Sequence, residues 1–315
     1  MHAPGPFLYY NTRMKSARRE NRRVLAGAVC LLLCVLFPAL RLQAKGVSGV
    51  RAEVPDPVVV TCMEMEEVKD DDGICYLNTA YVIPENLEAL LREAIAAFEQ
   101  GNRDVSFVMI DIGSGEGICY KPNRPCYSAS AVKAPFVFSL LAAGTGPDQT
   151  MFSACHYSDN AAYSRLRRTY GTQGFAAFMD AAGVLPEKAR YNYPWDITSL
   201  DFAKLWYHAY KTLFAEPDLS EWLKETLTGT NNSSMSETLG EAYAVVSKAG
   251  WITYPSRNAS VYNDAGIVDI EGCPYLLAVT ARTPDGVGRQ NADALIPVLN
   301  LIHNQMIIRL TGEEE

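Results

Sequence analysis

Apolar positions recur along this chain in two rhythms, and the places where one gives way to the other outline a single domain. After Pro84, a residue suited to a first helical turn, Leu87, Leu90, Leu91, Ile95 and Phe98 follow at helical spacing up to Gly101. A strand is expected next, Val105 to Ile112, then a glycine-rich turn at Gly113 to Gly117 and a short second strand, Ile118 to Lys121. From Ser130 to about Thr230 the pattern is helical. Val132 to Leu141 is an apolar helix, Asn160 to Tyr170 stops at Gly171, and Gln173 to Ala182 stops at Gly183. Ser199 to Phe214 is introduced by Thr198 with Asp201 three residues on, close to a capping box. Its aromatic cluster, Trp206, Tyr207, Tyr210 and Phe214 with Trp222 beyond, reads as core. Strand patterns return at Ala244–Thr253, Ala259–Ile270 and Tyr275–Ala281, and a last helix runs from Ala292 to Leu310. Two strands, a helical insertion and three more strands predict an α+β fold. It has a five-stranded antiparallel sheet flanked by helices, with an all-helical lobe.

The amino-terminal 83 residues follow a different logic. Arg13, Lys15, Arg18, Arg19, Arg22 and Arg23 precede an apolar run of 17 residues, Val24 to Leu40. A basic flank on that side orients the run as a signal-anchor: residues 1–23 cytoplasmic, 24–40 crossing the membrane, 41–83 a linker, and 84–311 an extracytoplasmic domain. Leu42-Gln43-Ala44 is a poor cleavage site, which favours an uncleaved anchor over a cleaved signal peptide. The net charge of −8 argues against nucleic acid as a partner. An exported chain permits disulfides among Cys62, Cys75, Cys119, Cys126, Cys155 and Cys273. Their pairing stays open, with a local Cys119–Cys126 bridge across the turn at Lys121 to Pro125 as one candidate. The four histidines, His2, His156, His208 and His303, show no ligand spacing, so neither a catalytic zinc nor another cofactor is expected.

Chemistry concentrates at three stretches. Ser130 and Lys133 lie three apart where the apolar helix begins, on one face and one turn from each other. A desolvated ammonium can give up its proton and then take one from a neighbouring hydroxyl. Ser158-Asp159-Asn160 opens a second helix, and Lys248-Ala249-Gly250-Trp251 closes a strand-like run. Each stretch alone has an ordinary reading, as helix caps or an exposed strand lysine. The ordered set does not.

Ser-x-x-Lys, Ser-Asp-Asn and Lys-x-Gly in that order resemble the signature of class A β-lactamases and penicillin-binding proteins, over about Pro84 to Leu310. The resemblance implies the β-lactamase/transpeptidase-like fold and a serine hydrolase acting through an acyl-enzyme. It makes Ser130 the nucleophile, Lys133 its base or relay, and Ser158 the donor of a proton to the leaving nitrogen. Lys248 would be a positive charge facing a substrate carboxylate, and Asn160, Gly250 and Trp251 would bind substrate. The backbone N–H groups of Ser130 and Trp251 would form the oxyanion hole. Its substrates would be β-lactams or D-alanyl-D-alanine peptides of the cell wall, handled by a monomer tethered through its amino-terminal helix.

Three departures from the family pattern bear on activity. The Ser130–Ser158 interval is short, which predicts a trimmed helical lobe. Ala249 stands where the family has a hydroxyl residue. The loop Val184 to Asp196 offers only Glu187 where the family carries a deacylating glutamate. A D-alanyl-D-alanine peptidase, or a sensor that is acylated without turnover, are the alternatives. A cytoplasmic tail of 23 residues is too short for an output domain of its own.

Overall fold

The computed structural model describes residues 73–77, 82–184, 196–254 and 260–311. The proposed anchor, Val24 to Leu40, and Glu187 lie outside the described residues, as does Cys62. Among the described residues no helix is long and apolar enough to cross a membrane.

A six-stranded antiparallel sheet forms the centre, in the order β1-β3-β2-β8-β7-β6. Its strands are β1 (Ile74–Leu77), β2 (Asp104–Asp111), β3 (Gly117–Tyr120), β6 (Ala244–Ile252), β7 (Val261–Ile270) and β8 (Cys273–Arg282). Five of these were expected. The sixth, β1, comes from the stretch assigned to the linker and pairs with β3, Ile74 opposite Tyr120 and Cys75 opposite Cys119. Four residues beside an acidic run carry too little periodicity to read as a strand, and the ladder with β3 supplies the missing hydrogen bonds. The domain therefore begins before Pro84.

Both faces of the sheet are covered, so β2 is buried at every position after Asp104, and its central Phe107-Val108-Met109-Ile110 reads as a continuous apolar run. Phe107 and Met109 face one layer, where α1 (Glu85–Glu99) and α9 (Gly288–Thr311) contribute Leu91, Phe98, Leu295 and Ile302. Val108 and Ile110 face the helical lobe on the other side. That lobe contains α2 (Lys133–Ala142), α3 (Gln149–His156), α4 (Asn160–Tyr170), α5 (Gln173–Ala181), α6 (Ser199–Thr212) and α7 (Pro217–Leu227). Helix α2 is buried on all sides, which its nearly unbroken apolar sequence requires. Trp206 packs edge-on against Phe138 with ring centres 5.0 Å apart, so the aromatic cluster of α6 is core as expected. The Thr198–Asp201 capping box is formed at the start of α6.

Two smaller features were not foreseen. A two-stranded sheet, β4 (Cys126–Tyr127) with β5 (Asp196–Ile197), ties the approach to Ser130 to the end of the loop after α5. In addition, the Cys119–Cys126 bridge does not form. Cys126 is a buried thiol pointing at the Ala281 carbonyl, 3.4 Å away. The turn that separates the two cysteines leads out of the main sheet into β4, and so carries Cys126 toward the end of β8.

Candidate active site

Ser130 sits in a 3₁₀ turn, Ala129–Val132, that runs directly into α2. In such a turn residues three apart eclipse one another, which sets Ser130 and Lys133 on one side. Ala129, immediately before the serine, has φ +46°, a conformation that costs a non-glycine residue about 1–2 kcal/mol. Strain of this kind persists only where the surroundings impose it. Here β6 does so: an added Cβ on Gly250 would lie 2.1 Å from the Ala131 nitrogen and 2.6 Å from the Ser130 nitrogen. Only glycine lets the strand approach the turn this closely. The same turn is held from β7 by Asn263, whose Nδ2 donates to the carbonyls of Tyr127 (2.8 Å) and Ser128 (3.1 Å).

Ser158 lies in the connection from α3 to α4, also at positive φ, +58°. Asp159, between the two motif residues, is the helix cap. Its carboxylate accepts from the nitrogens of Ala161 (2.7 Å) and Ala162 (3.1 Å), so Ser158 and Asn160 are freed from capping. Both turn to Lys133. The lysine, 1% exposed, donates to the Ser158 carbonyl at 2.6 Å and to Asn160 Oδ1 at 2.7 Å, with Ser158 Oγ at 3.3 Å. Lys248 is fully buried in β6 and donates to the Ala249 carbonyl at 2.6 Å. Trp251, one residue past Gly250, is 37% exposed at the rim.

The structure thus brings two of the three motifs into direct contact through Lys133, and sets the third against the nucleophile's backbone through Gly250. Burial, with the like charge of Lys248 second, pushes the Lys133 ammonium down to about 8. Burial likewise lowers Lys248 to about 8, against the opposing pull of Cys155 and Asp264. Two lysines that can each exchange a proton near neutrality, one beside a serine, are equipped for proton transfer and for holding an anion.

Sequence reasoning missed what lies behind the site. Asp264 of β7 is fully buried, in register with Ala249, and accepts from Ser233 Oγ (2.9 Å), the Met235 nitrogen (3.0 Å) and Tyr262 Oη (3.4 Å). Ser233 caps α8 (Ser234–Leu239) and also meets Ser247 Oγ at 2.6 Å. Burial raises the Asp264 carboxyl to about 6 even with these donors around it. The clue was a charged residue inside an apolar strand, Tyr262-Asn263-Asp264-Ala265, which a buried position allows only with partners. Cys155 also lies beneath the site, its thiol 3.8 Å from the Lys133 carbonyl, and burial pushes it up to about 12.

A family model described as the β-lactamase enzyme family matches residues 149–303. Among solved structures, a β-lactamase from Sphaerobacter thermophilus DSM 20745 superposes with a TM-score of 0.57 at 17% identity, covering 71% of this chain and 98% of that one. A β-lactamase from Chitinophaga pinensis DSM 2588 gives 0.58 at 15% identity, with 70% and 99% covered. A PBP-A variant, captured as an acyl-enzyme complex with penicillin G, gives 0.52 at 17% identity, with 67% and 96% covered. No curated protein matches the sequence.

Proposed function

We propose that this chain of the β-lactamase and penicillin-binding serine hydrolase family is a membrane-tethered, extracytoplasmic hydrolase that forms an acyl-enzyme on Ser130. Its substrates are β-lactams or D-alanyl-D-alanine peptides. The observation that carries the reading is the contact set of Lys133, which joins Ser158 and Asn160 to the residue one turn from Ser130. Ser130 Oγ attacks the carbonyl carbon while neutral Lys133 takes the hydroxyl proton. Ser158 Oγ, at 3.3 Å from Lys133 Nζ, is the way for that proton to reach the leaving nitrogen as the C–N bond breaks. The N–H groups of Ser130 and Trp251 receive the developing oxyanion. Incubation with a fluorescent penicillin, followed by intact mass and peptide mapping over time, tests the reading. A covalent adduct on Ser130 is expected, and its absence with penicillins and D-alanyl-D-alanine donors alike would exclude the activity.

The two lysines fix the pH dependence. Lys133 must be neutral to act as base, so the acylation rate constant rises with pH through about 8. Lys248 must be charged to hold a carboxylate, so the rate falls above about 8. The expected profile is a narrow bell centred near 8, measured as second-order acylation of carboxylate-bearing penicillins between pH 6 and 10. Replacing Lys248 by glutamine removes the like charge and moves the rising limb to higher pH.

Turnover should be slow. Hydrolysis of the adduct needs a water and a base, and the one carboxylate the loop sequence offers before Asp196, Glu187 in Pro186-Glu187-Lys188-Ala189, reads as a solvated side chain and not as that base. General-base catalysis contributes about 10²–10⁴-fold, so an adduct lacking it outlasts the ~0.1 s cycle of a median enzyme by that factor. Quench-flow mass spectrometry should find the acyl-enzyme accumulating. Rapid turnover that is lost in Glu187→Gln, with acylation intact, would instead assign the base to that residue. Topology is open to a direct test, since protease added to intact cells should remove the catalytic domain and spare the basic tail.

A further inference from the structure

The positive φ of Ser158, +58°, has its cause outside the α3–α4 connection. Three successive carbonyls around this residue accept hydrogen bonds from distant segments. Lys133 Nζ donates to that of Ser158 at 2.6 Å. Asn231 serves the two before it: its backbone nitrogen donates to the His156 carbonyl at 3.3 Å, and its Nδ2 to the Tyr157 carbonyl at 3.0 Å. The Tyr157 and Ser158 carbonyls belong to the two peptide planes that flank the Ser158 Cα. Holding both planes holds φ and ψ, and with them the direction in which the side chain leaves the backbone.

Asn231 can serve in this way because its neighbours are fastened to β6. Thr230 Oγ1 donates to the Ser247 carbonyl at 2.9 Å. Ser233 Oγ meets Ser247 Oγ at 2.6 Å and donates to Asp264 at 2.9 Å. Thr230 and Ser233 are buried, and Ser247 directly precedes Lys248 in the strand. Residues 230–233 therefore form a bracket between the second and third motifs, one end on the strand of Lys248 and the other on the backbone of Ser158. We infer that Asn231 is a positioning residue for proton delivery, aiming Ser158 Oγ at the leaving nitrogen without touching the reacting atoms. The inference rests on the acyl-enzyme reading, since it needs Ser158 as the proton donor. Asn231 is exposed, so in Asn231→Ala a water takes its place on the Tyr157 carbonyl. What the variant loses is the direction of the hydroxyl.

Two acyl donors that differ in what their leaving group requires test this role. The ring nitrogen of benzylpenicillin must gain a proton as its C–N bond breaks, whereas the mercaptoacetate thiolester of phenylacetylglycine releases a thiolate that needs none. With both, Ser130 Oγ bonds to the carbonyl carbon and Lys133 takes the hydroxyl proton. Asn231→Ala should slow acylation by benzylpenicillin about tenfold, the scale of one hydrogen bond, and acylation by the thiolester less than about twofold. Ser158→Ala should slow the penicillin reaction by about 10²–10⁴-fold, and adding Asn231→Ala to it should cost nothing further. No loss with penicillin, an equal loss with both donors, or losses that add in the double variant overturn the inference. A second measurement needs no acylation: crystallography of the wild type and of Asn231→Ala reads φ at Ser158. It should be positive in the wild type and leave that region, or spread over several conformers, in the variant. An unchanged φ removes the positioning role whatever the kinetics show. If neither donor acylates the wild type, a changed φ keeps Asn231 as the residue that orients Ser158 and removes the acyl-enzyme reading alone.

Discussion

Replacing Ser130 with alanine should abolish covalent labelling by penicillin, a loss on the order of 10⁶-fold in acylation rate, by analogy with removal of other serine nucleophiles. Nothing else in the turn can substitute. Ser128, two residues earlier, is fully buried, and its hydroxyl has no hydrogen-bond partner among the described residues. Ala131 and Val132 carry no nucleophile. Ser128→Ala and Ser153→Ala are therefore the informative controls, and both should be labelled at near wild-type rates. Ser153 lies within α3, and its backbone carbonyl accepts from the Asp159 nitrogen at 3.1 Å, a bond that survives the change to alanine. Full labelling of Ser130→Ala would transfer the chemistry elsewhere while leaving the fold intact.

The second large effect is expected from a single methyl group. In Gly250→Ala the new carbon would meet backbone atoms only: Ala131 N at 2.1 Å, Ser130 N at 2.6 Å and the Ser128 oxygen at 2.9 Å. Backbone cannot swing aside as a long side chain can. Strand β6 is also pinned, since Gly250 pairs with Asn263 and Asn263 in turn holds Tyr127 and Ser128. Relief needs a shift of roughly 1 Å between the Ser130 turn and the strand, which displaces the two N–H groups that would form the oxyanion hole. Each such donor is worth about 10²–10³-fold, and a misplacement of this size costs about as much. Acylation should fall by two to three orders of magnitude, measured by stopped-flow labelling. Thermal unfolding should report a loss of about 1–3 kcal/mol, the scale of overpacking. A variant that labels normally would show that strand and turn are free to separate.

The sequence by itself determined the order of elements and the identity of the groups that meet. Local rules sufficed there. Helical and strand periodicities located α1, β2 and, in the lobe, α2, α4, α5 and α6 but not α3 or α7, while Gly171 and the Thr198–Asp201 pair marked helix ends where the structure has them. Ser130 and Lys133 could be put together before any fold was known, because three residues within one helical turn are neighbours in space. What the tertiary structure alone decided depends on contacts between segments far apart in the chain. Strand β1 exists through its ladder with β3, and β4 through Asp196 and Ile197, some 70 positions on. Burial lowers both lysine pKa values, and that of Lys133 falls further through the approach of Lys248, a contact between a helix and an edge strand that spacing along the chain does not record. Asp264 became legible only once its donors, Ser233, Met235 and Tyr262, had been gathered around it. Periodicity records which side of an element is apolar; it does not record what that side will touch, and a buried charge is set by what it touches.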